Sequence, residues 1–179
     1  DLGYLTVSHN PCGEIPRCPY DSCRLLALNL DSYVVNPFKP DAYFDFELFK
    51  KHVALAQRIM DDIIDLELEK IERIQEKIDS DPECEDVKHT ERTLWEKIYR
   101  KSGQGRRTGV GITAEGDMLA AMGLRYGTEE ATSFSEQVHR TIALEAYRSS
   151  VQMAKERGAF EIYDTGREKD NPFINRLRE

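Results

Sequence analysis

Apolar residues recur at steps of three and four between residues 45 and 80, and this spacing predicts one long amphipathic helix. Asp45 is the predicted N-cap. The helix should end before Asp81-Pro82, because a proline disfavours helical backbone in the residue before it. Charged side chains at 61–77 indicate a solvated face with i,i+4 pairs. The predicted buried stripe consists of Phe46, Phe49, Val53, Ala56, Met60, Ile63, Ile71, Ile74 and Ile78.

The same periodicity predicts further helices at 87–101, 115–122 and 129–157. Gly123 and Gly158 follow the last two of them, and glycine readily adopts the left-handed backbone found at helix ends. The residues predicted to face inward are Leu94, Trp95 and Ile98 in the first of these helices, and Phe134, Val138, Ile142, Tyr147, Val151 and Ala154 in the last.

Short apolar runs at 4–7, 25–28 and 108–113 predict strands. Prolines interrupt 10–21 and remove backbone donors, so this segment is predicted to be a loop. Residues 103–107 are expected to form a flexible basic turn, and the last twenty residues a further loop. Strands that alternate with long helices indicate the α/β class, with parallel strands joined by helical crossovers. Because so small a sheet would leave its helices half covered, we expect the chain to be a piece of a larger fold.

Composition narrows the function classes. The 179 residues are 40% hydrophobic and 32% charged, which is typical of a globular protein. The net charge of −8 argues against a surface that binds nucleic acid or an anionic membrane. No apolar run approaches the roughly 20 residues that a membrane span requires. The chain starts without an initiator Met or a secretory pattern, so we expect part of a longer polypeptide, with a small complete domain as the alternative. The small number of cysteines favours a reducing, cytoplasmic setting.

The cysteines point to redox chemistry and not to a structural scaffold. Cys12, Cys18, Cys23 and Cys84 contain no Cys-x-x-Cys pair, so neither a structural metal site nor a disulfide framework is expected. We interpret Cys18 as a free loop thiol and Cys84 as an inert surface thiol. The scattered histidines are interpreted as surface or capping groups.

The candidate chemistry lies in the run Asn10-Pro11-Cys12-Gly13-Glu14. In an extended segment, residues two apart project to the same side, so Cys12 and Glu14 can face one small substrate together with Asn10. A thiol beside a carboxylate suits a sulfur reagent next to a proton acceptor. A second thiol, Cys23, can join them through a hairpin, as dithiol chemistry requires. The alternative is a buried structural cysteine in a turn.

These segments resemble the active-site loop of ribonucleotide reductases. The resemblance rests on NPCGE at 10–14, PYDSC at 19–23 and Asn29-Leu30. It continues through Arg106-Arg107-x-Gly109-Val110-Gly111-Ile112-Thr113, Gly116-Asp117, the run at 126–131, and the helix from Glu145-Ala146-Tyr147 to Arg157-Gly158. The Pro11 and Gly13 residues on either side of Cys12 resemble the form of this loop in the adenosylcobalamin-dependent class II enzymes. The chain departs from the family at Arg24-Leu25-Leu26, where Asn-Leu-Gly is usual. The family therefore suggests no function for Arg24.

The resemblance implies a helix-rich fragment of the family's ten-stranded α/β barrel, with the active-site finger loop near the N-terminus. Residues 1–179 would then belong to a single catalytic barrel domain. Within it, 1–40 would be the finger loop and flanking strands, 41–102 a helical segment, and 103–179 a strand, a long helix and a C-terminal loop.

The resemblance also implies a mechanism. Cys12 would become a thiyl radical and remove the hydrogen from the 3′ carbon of a ribonucleotide, with Glu14 as base on the 3′ hydroxyl. Asn10 would bind substrate hydroxyls, and the substrate-binding residues would be Asn10, Pro11, Cys12, Gly13 and Glu14. The 2′ hydroxyl would leave as water. Cys23 would be one of two thiols that supply the electrons and end as a disulfide, its partner lying outside this chain.

The implied cofactor is adenosylcobalamin. The implied partners are the ribonucleotide substrate, dNTP or ATP effectors in the full-length protein, a thioredoxin-like reductant and a second copy of the chain. Two alternatives remain: a class I large subunit that uses a separate radical-generating subunit, and a non-catalytic helical interaction module of the same ancestry. The joint presence of Asn10, Cys12, Glu14 and Cys23 argues against the second. Whether the substrate is a diphosphate or a triphosphate is open.

Overall fold

The computed structural model describes residues 5–178 except Cys12, Glu14 and Cys23, and side chains as far as residue 176. The chain divides into two compact units. We call the first the hairpin unit; it comprises Asp1–Arg24, Asp61–Thr108 and Gly158–Glu179. The second, the core unit, comprises Leu25–Met60 and Gly109–Arg157.

The long helices largely follow the prediction. Helix α1 spans Phe46–Ser80 and begins where expected, since Asp45 Oδ1 accepts a hydrogen bond from the Leu48 N–H at 2.9 Å. Helix α3 spans Glu115–Ala121, and α4 spans Glu129–Arg157. Helix α2, Glu85–Gly105, is longer than predicted. The predicted turn at 103–107 was therefore wrong for its glycines, which remain helical until Arg106 turns left-handed at φ 43°.

Three predicted stripes were partly wrong. On α1, Ile64 is fully buried and Ile63 is exposed, because both fit the spacing after Met60 and only packing selects one of them. On α4, Val138 is buried as predicted, but Tyr147, Val151 and Ala154 are exposed and Met153 is buried. Ser149 on that helix donates to the Ala54 carbonyl of α1 at 2.8 Å, so the contact between these helices is partly polar. On α2, Leu94 is exposed, whereas Trp95 and Ile98 are half-buried.

Short strands form two-stranded sheets in the described residues. Strands β1, Ser8–His9, and β2, Pro16–Arg17, are antiparallel, with Ser8 opposite Arg17. The strand predicted at 4–7 is therefore displaced, and the predicted loop at 10–21 contains a strand, because Pro16 tolerates an edge position. Strand β3, Arg24–Asn29, pairs with β6, Thr108–Thr113, where strands were predicted. A 3₁₀ turn, Leu30–Tyr33, leads into the antiparallel pair β4, Val34–Val35, and β5, Tyr43–Phe44.

The core unit is organised by aromatic packing. The rings of Tyr33 and Phe49 lie 4.8 Å apart edge to face, and those of Phe44 and Phe49 lie 5.1 Å apart. Edge-to-face pairs add stability beyond the area that they bury. The buried cluster consists of Leu30, Tyr33, Phe44, Phe49, Val53, Met118, Leu119, Ala131 and Val138.

The C-terminal segment was predicted to be a loop, and this was partly wrong. It contains two short helices, α5, Thr165–Glu168, and α6, Pro172–Arg178. The Asp164 side chain caps α5 by accepting from the N–H groups of Gly166 and Arg167. None of the helices in the described part of the chain has the length and apolar composition of a bilayer span.

Candidate functional site

Asn10 and Gly13, which flank the candidate cysteine in the sequence, are joined by the hydrogen bond of a tight turn. The Gly13 N–H donates to the Asn10 carbonyl at 3.0 Å, and Pro11 lies at the turn position that favours proline. Gly13 has φ 79°, while a Cβ at this position would meet no atom within 4 Å. Gly13 is therefore required for its backbone conformation and not for space. Cys12 and Glu14 lie outside the described residues, so their predicted roles stay predictions.

Asn10 closes this turn from its other side. Its Oδ1 accepts a hydrogen bond from the Ile15 N–H at 2.9 Å, and His9 Nδ1 lies 2.6 Å from the Asn10 carbonyl. The side-chain carbonyl of Asn10 thus spans the loop that carries Cys12 and Glu14. Because Oδ1 is used in this bond, the Nδ2 group would make the predicted contact with substrate hydroxyls. That contact stays a prediction.

Arginines hold the hairpin that supports the turn. Arg17 Nη2 donates to the His9 carbonyl at 3.1 Å, across the strand pair. Arg107 Nη1 donates to the Pro16 carbonyl at 3.1 Å, and its Nη2 lies 2.9 Å from Asp21 Oδ2. Arg107 therefore ties the second strand of the hairpin and the following turn to the end of α2.

Asp21 organises the segment that leads to Cys23. Its carboxylate, 4% exposed, accepts from the N–H groups of Cys18 and Ser22 at 3.3 and 3.0 Å. The Asp21 N–H in turn donates to the Cys18 carbonyl at 3.2 Å and closes a second turn. Tyr20 within it has φ 61°, and Lys97 Nζ lies 5.0 Å from the centre of its ring. A carboxylate with this many partners fixes the backbone on the N-terminal side of Cys23.

Cys18 is a structural thiol. It is 5% exposed, and burial, followed by the nearby Asp21 carboxylate, raises the pKa of its thiol. A raised pKa disfavours the thiolate, which is the nucleophilic form. Cys84 is exposed. Cys23, the predicted redox thiol, lies outside the described residues.

Arg24, which the resemblance left without a role, is part of a buried polar network. It forms an ion pair with Glu67 of α1, and its Nη2 donates to Ser102 Oγ of α2 at 3.0 Å. Its Nη1 lies 3.4 Å from the carbonyls of Ser22 and Arg107. The Arg24 side chain is 7% exposed and that of Glu67 is 27% exposed.

Most charged side chains of α1 at 61–77 are exposed, as predicted, but two of the carboxylates pair with a residue outside the helix. Arg106 lies 2.7 Å from Asp61 and 2.8 Å from Asp65. Burial lowers the pKa of Arg106, but the two carboxylates outweigh it and the net pKa is raised. Although Asp61, Asp62 and Asp65 approach one another closely enough to share a cation, the guanidinium already neutralises two of them.

Sequence reasoning missed Asp21, Glu67, Ser102 and Arg107 as parts of the site. One signal was present: a charged Arg24 at the start of an apolar strand needs a buried partner. The sequence does not identify that partner, because α1 offers several carboxylates at helical spacing.

Comparisons with known proteins agree with the motif. A profile of the family described as ribonucleotide reductase, barrel domain, matches residues 5–174. A vitamin B12-dependent ribonucleoside-diphosphate reductase from Thermoplasma acidophilum is 33% identical over 86% of this chain and 16% of its own length. A protein of the same description from Mycobacterium tuberculosis is 28% identical over 88% of this chain and 19% of its own length. A ribonucleoside-diphosphate reductase subunit alpha from Chlamydia pneumoniae is 27% identical over 79% of this chain and 11% of its own length. The chain thus spans less than one fifth of these relatives.

Proposed function

This chain belongs to the ribonucleotide reductase barrel-domain family, and we propose that it supplies the active-site loop of an enzyme that converts ribonucleotides to 2′-deoxyribonucleotides. The observation that carries the proposal is the run Asn10-Pro11-Cys12-Gly13-Glu14, followed by Cys23, in a member of this family. The turn that Asn10 and Gly13 close supports it, because a reactive side chain needs a fixed backbone.

The proposed chemistry starts at the Cys12 sulfur. As a thiyl radical it takes the hydrogen atom from the 3′ carbon of the substrate and becomes a thiol. Glu14 accepts the proton of the 3′ hydroxyl, for which it must come within about 3 Å of that oxygen. Asn10 holds the substrate hydroxyls through its amide group. The 2′ hydroxyl then leaves as water with one proton from the Cys23 dithiol, in a pocket that excludes bulk solvent. After the substrate has been reduced, the Cys12 thiol returns its hydrogen atom to the 3′ carbon and becomes a thiyl radical again.

Reduction of the substrate requires two electrons. In the proposed mechanism Cys23 and a second thiol elsewhere in the full-length protein supply them, together with two protons, and end as a disulfide. A thioredoxin-like dithiol then reduces that disulfide. This thiol chemistry needs a reducing compartment, so a cytoplasmic location is part of the proposal.

The relatives described as vitamin B12-dependent favour adenosylcobalamin as the radical source. The cavity that the described residues form beside α2 does not fit a corrin ring. The cavity beside α2 has a volume of about 430 Å³ and is lined by the polar or charged side chains of Gln75, Glu96, Tyr99, Arg100, Gln104 and Glu161. The contribution of this chain is therefore the loop chemistry, whatever generates the radical.

A class I large subunit is the competing assignment. The Chlamydia pneumoniae relative, whose description names a subunit alpha and no cobalamin, is compatible with it at lower identity. The relatives are described as diphosphate reductases, so a ribonucleoside diphosphate is the proposed substrate. We also propose dNTP or ATP effectors and a homo-oligomeric full-length enzyme, on the family relationship alone.

The test uses the full-length protein. We expect Cys12→Ser to abolish deoxynucleotide formation, because an alcohol does not replace the thiol in hydrogen abstraction. Cys23→Ser should abolish repeated turnover with a dithiol reductant. The control is Cys84→Ser, at an exposed cysteine outside the loop. Product is measured by chromatography, with and without adenosylcobalamin. Full activity of the Cys12 variant would refute the proposed function, and turnover without cobalamin would favour class I.

A further inference from the structure

The guanidinium of Arg24 joins several separate segments of the hairpin unit. It contacts Glu67 on α1, Ser102 on α2, and the carbonyls of Ser22 and Arg107. Ser102 is 1% exposed and its Oγ lies 3.4 Å from Glu67 Oε1, so the network also closes on itself. The network lies directly beside Cys23 in the sequence.

Stability alone does not explain a charge at this position. A buried ion pair is often no more stabilising than apolar side chains of similar volume, because both charges lose their hydration. The ion pair instead restricts the orientation of the groups that it joins. A planar guanidinium bonds its partners in a fixed fork geometry, whereas apolar contacts leave the backbone free to shift by small amounts.

We propose that Arg24 and Glu67 are positioning residues for the Cys23 thiol. Arg24 follows Cys23, and its side chain turns back to the carbonyl of Ser22, which precedes Cys23. Asp21 holds the N–H of the same serine at 3.0 Å. The residues on both sides of Cys23 are thereby tied to the helices, and in this proposal that restraint limits where the Cys23 thiol meets its disulfide partner. The inference rests on the proposed redox role of Cys23.

Positioning raises the effective concentration of one thiol toward the other, and this sets the stability of the disulfide. Loss of the network should therefore make the disulfide of Cys23 easier to reduce. In the measured reaction, dithiothreitol gives two electrons and two protons to the disulfide sulfurs and becomes its own cyclic disulfide. We expect the equilibrium constant for disulfide formation to fall about tenfold, which corresponds to about 30 mV.

The test compares variants of the full-length reductase in dithiothreitol redox buffers, with Cys23 oxidation read by thiol labelling and mass spectrometry. The variants are Arg24→Lys, Glu67→Gln and the double variant Arg24→Leu with Glu67→Leu. The double variant replaces the pair with apolar side chains and so keeps the fold while losing the bond to Ser22. The matched control is Asp65→Asn, which weakens another α1 ion pair, to Arg106, without contacting the Cys23 segment.

We expect the double variant to show the tenfold shift with a melting temperature near that of wild type, and Asp65→Asn to show no shift. If Glu67→Gln fails to fold, the double variant decides. An unshifted equilibrium in the folded double variant, together with a Cys23→Ser enzyme that no longer turns over, would overturn the positioning role and leave the proposed function intact. Normal turnover of Cys23→Ser would overturn both.

Discussion

In the core unit the buried side chains are apolar, and aromatic rings around Phe49 pack edge to face. In the hairpin unit, apolar residues such as Ile64 and Ile71 are buried together with charged and polar ones. The buried polar or charged residues of the described chain all belong to this unit: Arg24, Lys88 and Ser102. Lys88 there donates to the Asp79 carbonyl near the end of α1, at 3.1 Å.

The two interiors illustrate two roles of buried side chains, which are to stabilise the fold and to orient particular groups. Apolar packing supplies most of the free energy of folding but has little directional preference. Hydrogen bonds between charged groups add less net stability and define angles as well as distances. The unit that carries the candidate loop uses the second kind of interaction, which suits a segment whose side chains must be held in place for chemistry.

The largest effect is expected from the core unit. Phe49→Ala should lower the free energy of unfolding by about 3–5 kcal/mol, because it removes a fully buried ring and leaves a cavity. Phe38→Ala is the matched control, since Phe38 is 77% exposed, and it should change stability by no more than about 0.5 kcal/mol. Urea denaturation measures both. Equal losses in the two variants would contradict the assignment of the core.

A smaller effect is expected at the end of α2 in the hairpin unit. Arg106→Ala should cost about 2 kcal/mol, because the carboxylates of Asp61 and Asp65 lose their partner. Arg106→Gly loses the same contacts but relieves the left-handed backbone at φ 43°, so it should be about 1 kcal/mol more stable than the alanine variant. Urea denaturation followed by Trp95 fluorescence tests the order. An alanine variant as stable as the glycine variant would show that the backbone there is unstrained.

The smallest expected effect compares one titrating group in each unit, and it changes the stability of the fold only at alkaline pH. Burial raises the pKa of Cys18 in the hairpin unit above its ordinary value of 9.0, and that of Tyr33 in the core unit above 10.0. Folding favours the protonated form of each group, so its contribution is complete below the unfolded pKa and is lost as pH rises through the folded pKa. Cys18→Ala should remove the part of the loss that begins near pH 9, and Tyr33→Phe the part that begins near pH 10. Urea midpoints measured from pH 7 to 11 test this; unchanged profiles in both variants would contradict it.

Local signals predicted a large part of the fold. Asp45 before an apolar repeat specified the start of α1, and the glycine at 158 specified the end of α4, because caps depend on nearby residues alone. The choice between Ile63 and Ile64 could not be predicted, since both satisfy helical spacing. The burial of Met153 in place of Val151 has a different cause. The predicted stripe moved five residues from Ile142 to Tyr147, whereas Met153 lies eleven residues, about three helical turns, after Ile142.

For the candidate site, the amino-acid sequence by itself determined the chemical groups: a thiol, a carboxylate and an amide within one short run, and a second thiol a few residues later. The tertiary structure decided which groups hold that run in place. Glu67 and Ser102 lie far from Arg24 in the sequence, and many other carboxylates on α1 carry the same charge. Coulomb attraction does not distinguish among these carboxylates. The partners of Arg24 are determined by packing, which brings one carboxylate and one hydroxyl to the buried guanidinium.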